Sequence, residues 1–108
     1  MSRVRIAMAQ INTIVGDIDG NVRKIVEGFD RARGVGADVV IFQEMTVTGY
    51  PPEDLLLKPG FLEANLKALR KVAGASQGLT AVVGFADFNE DVHNAAAILH
   101  DGRWVQTY

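Results

Sequence analysis

Hydrophobic positions in this chain repeat with two different periods, and the places where the period changes mark its elements. Val4, Ile6 and Met8 alternate with Arg5, Ala7 and Ala9, the two-residue repeat of a strand, and predict a first strand that ends near Gln10. A loop over Asn12 to Gly20 follows. Asn21 is the expected cap of a helix whose Val22, Ile25, Val26, Phe29 and Ala32 share one stripe, and Gly34 and Gly36 mark its end. Asp38 to Gln43 is apolar on both faces, as in a strand covered from above and below. Leu62, Leu66, Leu69 and Val72 recur at helical spacing opposite Glu63, Lys67, Arg70 and Lys71, so a second helix is predicted from about Pro59 to Ala75, with Gly74 and Gly78 at its exit. Thr80 to Phe85 is a third strand, again apolar on both faces. Asn94 to Leu99 and Arg103 to Tyr108 form a hairpin about the turn pair Asp101 and Gly102.

The order strand, helix, strand, helix, strand, strand, strand is that of an α/β fold. A sheet whose strands are apolar on both faces needs two covering layers, and the last predicted strand leaves no element to supply the second. The expectation is therefore an incomplete domain, with residues 1–108 as the N-terminal part of a longer one.

Composition narrows the partners. The 108 residues are 48% hydrophobic, enough for one modest core, and the formal charge of −2 comes from 13 acidic and 11 basic side chains spread along the sequence. No basic stripe suits nucleic acid or an anionic membrane, so neither is expected. With no cysteine there is no disulfide framework and no thiolate zinc site. Met1 to Ala9 is too short and too interrupted for a signal segment, and no apolar run reaches membrane-spanning length, which makes the cytoplasm the expected location.

Candidate chemistry gathers at one place. Glu44 closes the Asp38 to Gln43 strand just ahead of a turn that runs Thr48, Gly49, Tyr50, Pro51, Pro52, Glu53, Asp54. Such an acid is a candidate general base, although the commoner role for an acid at a strand end is a solvated loop residue or a helix cap. Glu53 and Asp54 suit the first turn of a helix, and Tyr50 with its two prolines also suits a stiff turn with a ring packed beside it. His93 and His100 lack a ligand pattern and are expected at the surface. Asp87, Asn89 and Asp91 imitate the start of a calcium loop, but Val92 and Ile98 stand where that loop needs Gly and Glu. Gly20, Gly34 and Gly36 make no dinucleotide fingerprint, because the last two precede a strand and do not open a helix.

The run Ile41 to Leu57, which reads IFQEMTVTGYPPEDLLL, resembles the first motif of the nitrilase superfamily of carbon–nitrogen hydrolases. Its segment Gly49 to Leu55 is similar to the glutamine amidotransferase domains of glutamine-dependent NAD synthetases. The opening from Ile6 to Asn12, then Val15, Gly16, Asp17 and Asn21, and later Gly84 to Asp87 with Asn94 to Ala96, extend the likeness over nearly the whole chain. The resemblance implies a nitrilase-like α-β-β-α sandwich and a Glu, Lys, Cys triad. In that triad the carboxylate takes the thiol proton and returns it to departing ammonia, lysine steadies the oxyanion, and cysteine carries the acyl group.

Glu44 matches the base, a role suited to partial burial. Tyr50 matches a residue lining the glutamine pocket, so glutamine is the implied substrate. The family's lysine and cysteine lie downstream of Tyr108, and none of Lys24, Lys58, Lys67 or Lys71 matches. Gln43 departs from the proline common before the glutamate, leaving the backbone freer and adding a possible hydrogen bond. The resemblance further implies that ATP and magnesium serve a separate synthetase domain, that no cofactor binds these residues, and that the enzyme is a homo-oligomer. Two rivals are a stand-alone nitrilase-superfamily amidase and, if the chain is complete, a non-catalytic interaction module.

Overall fold

A computed structural model describes residues 3–50, 52, 55, 58–89 and 91–108. Its elements run β1 (Ile6–Ala9), α1 (Ile18–Gly34), β2 (Val39–Phe42), α2 (Pro59–Gly74), β3 (Thr80–Asn89), β4 (Asp91–His100) and β5 (Arg103–Thr107). Among the described residues the strands form one sheet in the order β1-β2-β3-β4-β5. The first three are parallel, joined by α1 and α2 as crossovers, and the last three are antiparallel.

The register sorts side chains by face. Ala7, Val40, Ala81, Leu99 and Trp104 align across the sheet, as do Val83 with Ala97 and Phe85 with Ala95. These meet Val22, Ile25, Phe29 and Ala32 of α1 and Leu69, Val72 and Ala73 of α2 in one core. Two edge-to-face ring pairs fix its ends: Phe29 with Phe42 at 5.6 Å, and Phe85 with Trp104 at 5.4 Å. The opposite face carries a second aligned row, Met8, Ile41, Val82 and Ile98, to which α1 and α2 give no cover. Met8 is 83% exposed and Ile6 58%, so in β1 it is the small Ala7 and Ala9 that turn toward the core.

Several elements differ from expectation. α1 begins at Ile18, inside the expected loop, and its cap is Asp17, whose carboxylate accepts the Gly20 N–H at 3.0 Å. Asn21 is therefore not the cap. It lies fully buried in the first turn, accepting from Ile14 N–H at 2.9 Å and donating to the carbonyls of Ile14 at 2.9 Å and Val47 at 3.1 Å. A buried amide with three partners is worth more there than a cap exchanged with water. α1 ends as expected, with Gly36 taking the left-handed turn at φ +70°. The β3–β4 hairpin is longer at both strands than expected, because the ladder continues through Asp87 paired with His93 and Asn89 with Asp91. Strand-poor Asp and Asn hid that continuation. Asp101 and Gly102 both have positive φ, as the β4–β5 turn requires.

Candidate active site at the end of strand β2

The chain leaves the β2 ladder after Phe42 and folds into a turn that presents Glu44, and that turn is fastened from several directions. The Gln43 side chain accepts the Ile11 N–H at 3.2 Å and donates to the Ile11 carbonyl at 2.6 Å, tying the turn to the segment after β1. Thr46 Oγ1 donates to the Gln43 carbonyl, and the Val47 N–H donates to the Gly84 carbonyl at 3.2 Å. The Val47 carbonyl accepts from Asn21, and the Thr48 carbonyl accepts from the Gly16 N–H at 2.9 Å. Met45 is buried at φ +49°, a conformation unusual for a side-chain-bearing residue and held here by the bonds around it. Thr46, Val47 and Thr48 are fully buried, so Glu44 projects from a packed base.

Glu44 itself is exposed. It lines a shallow cavity of about 240 Å³ on the uncovered sheet face, with Gln43, Val82, Gly84, Asn94, Ala96 and Tyr108. The partial burial expected for the base is not supplied by the described residues. Tyr50 is 65% exposed and is not among the described residues lining this cavity. Pro51, Glu53, Asp54, Leu56 and Leu57 lie outside the described residues.

The basic side chains sit elsewhere. Lys24 Nζ donates to the Asn12 carbonyl at 2.5 Å, and Lys67 and Lys71 border a groove between α1 and α2 on the helical side. His93 and His100 are exposed, as expected. Among the described residues no group of three or more His, Asp or Glu side chains is placed to hold a metal ion, and the side chains of Asn89 and Asp91 lie outside them. No described helix is long and apolar enough to cross a membrane. A carboxylate so placed is chemically able to accept a proton; among the described residues the cavity lining holds no cationic side chain, and the 108-residue sequence has no cysteine.

Gly84, which the sequence offers only as part of the family likeness, also shapes this turn. A Cβ on Gly84 would lie 2.6 Å from both the Gln43 carbonyl oxygen and the Met45 nitrogen. A glycine inside an apolar strand was the available signal, since it marks close approach of another backbone.

Comparison with known proteins places this chain in a family. The model of the carbon-nitrogen hydrolase family matches residues 5–108. A glutamine-dependent NAD(+) synthetase of Thermotoga maritima is 42% identical over 110 residues, an alignment that takes in all of this chain and 19% of that protein. The structure of a glutamine-dependent NAD+ synthetase from Acinetobacter baumannii superposes with a TM-score of 0.87 at 35% identity, over 95% of this chain and 20% of that one. An amidase from Nesterenkonia sp. shares the fold, with a TM-score of 0.83 at 23% identity over 97% of this chain and 41% of that one. The chain spans about a fifth of the length of the curated relatives it matches. The sheet and helices agree with the fold that the resemblance implies, and the chain belongs to the carbon-nitrogen hydrolase family.

Proposed function

We propose that residues 1–108 are the N-terminal part of the glutaminase domain of a glutamine-dependent NAD synthetase, with Glu44 as the general base. In this reading a cysteine from polypeptide outside these residues gives its thiol proton to the Glu44 carboxylate, and the thiolate attacks the glutamine side-chain amide carbon. The C–N bond breaks, Glu44 returns the proton to the leaving nitrogen, and ammonia departs from a thioester. Water, deprotonated by Glu44, attacks the thioester; glutamate leaves and the thiol is restored. A lysine, also outside these residues, steadies the oxyanion of each tetrahedral intermediate. Tyr50 contributes to the glutamine pocket. The ammonia amidates deamido-NAD on a separate domain that uses ATP and magnesium, within a cytoplasmic homo-oligomer.

The observation that carries this reading is the position of Glu44, at the rim of a cavity on the uncovered sheet face, on a turn fixed by Gln43, Thr46 and Val47. The likeness to NAD synthetases over the full chain supports the choice of glutamine. The test is Glu44→Gln in the full-length enzyme, assayed with each nitrogen source. Glutamine-dependent synthesis should fall by about 100-fold or more, the usual worth of a general base, while synthesis from free ammonia persists. Loss of both activities, or of neither, contradicts the assignment.

A further inference from the structure

We propose that Gly84 is a positioning residue for Glu44: its missing side chain sets where the peptide carrying the carboxylate lies, with the Gln43 amide bracing the same turn from the β1 side. Pairing between β2 and β3 ends at Ile41 and Val82, yet β3 continues to Asn89. On the β1 side the ladder ends one residue later, at Ala9 and Phe42, and beyond Phe42 no strand pairing among the described residues holds the departing chain. The Gln43, Glu44 and Met45 backbone settles instead directly onto Gly84. A Cβ there would meet the Gln43 oxygen and Met45 nitrogen at 2.6 Å and the Glu44 carbonyl carbon at 2.9 Å. The Gly84 carbonyl also receives the Val47 N–H at 3.2 Å, so this residue both supports the turn and fastens its far end.

On the other side, both ends of the Gln43 amide engage the Ile11 backbone. Glu44 is caught between these two restraints, and Gly84 lines the same cavity. An alanine at 84 has no flexible neighbour to push aside, because all three near atoms are backbone. The turn must retreat by roughly 1 Å to reach ordinary contact, a displacement able to cost about 100-fold when it moves a catalytic group.

This inference rests on the reading of Glu44 as the base, and the test separates the two. In the full-length enzyme, Gly84→Ala should lower kcat with glutamine by about 100-fold and leave KM for glutamine within about two-fold, since the loss is of aim and not of binding. Gln43→Ala, which adds no bulk and should fold even if the glycine variant does not, is expected to lower the same kcat by about 10-fold. Synthesis from ammonia should stay near the parent value for Gln43→Ala. If ammonia-dependent synthesis falls in step with glutamine turnover, Gly84 and Gln43 serve general stability and the inference is wrong. It is equally wrong if Glu44→Gln is inactive with glutamine while soluble Gly84→Ala and Gln43→Ala both keep full kcat. If Glu44→Gln retains glutamine turnover, the reading of the base fails and this inference with it.

Discussion

At the scale of single residues, buried polar side chains do the joining that periodicity cannot reveal. Asn21 links the loop before α1 to the turn beyond Glu44, bonding Ile14 and a carbonyl 26 positions away at Val47. Asn65 does the same between α2 and β3, donating to the Ala86 carbonyl and accepting its N–H. Replacing Asn21 with leucine removes three hydrogen bonds; the Ile14 carbonyl keeps the Asp17 N–H at 3.1 Å, but the buried Val47 carbonyl loses this donor, at about 1–3 kcal/mol for a buried unsatisfied group. A drop of several degrees in the melting temperature of the enzyme is expected, and an unchanged melt would show that Asn21 is not holding the turn. From sequence Asn21 looks like a cap because residue type is local information, whereas its partner Val47 is close only after folding. The hydrogen bond anticipated for Gln43 is present. The exposure of Glu44 was not legible, since burial depends on which polypeptide covers the sheet.

At the scale of elements, α1 packs on β2 through a glycine as well as through a ring. A Cβ on Gly28 would stand 2.9 Å from two ring carbons of Phe42, and that ring is held against Phe29. Helix propensity alone favours Gly28→Ala by about 1 kcal/mol, but the clash in a close-packed core opposes it at a typical 1–3 kcal/mol. The substitution should therefore destabilise. Gly34→Ala, at the other end of the same helix with nothing within 4 Å, should be neutral or slightly stabilising. Paired thermal melts check this, and a rise for both would mean that packing at Gly28 is loose. The helices were readable because Ile25, Phe29, Leu69 and Val72 keep the 3.6-residue period. The full length of the β3–β4 hairpin was not, because two of its outer rungs pair Asp87 with His93 and Asn89 with Asp91, types that give no strand signal and leave Phe88 and Val92 isolated in the pattern.

At the scale of the whole molecule, a helical layer lies on one face of the sheet and the row Met8, Ile41, Val82 and Ile98 lies on the other. The shortest extent, 19 Å, is that of two layers. The strand pattern had called for cover on both faces, and α1 and α2 account for one. Glu44 and its cavity are on the other, so polypeptide laid over the apolar row, as the proposed function requires, would also adjoin the carboxylate. The measurement that tests this most directly is a crystal structure of the full-length enzyme with glutamine or glutamate bound. The account predicts that Met8 and Ile41 are buried beneath further polypeptide, that Glu44 has lost its exposure, and that a carboxylate oxygen lies within about 3–4 Å of a cysteine Sγ. A Glu44 side chain directed into bulk solvent, with no thiol in reach and the apolar row covered by something unrelated to the site, would contradict it.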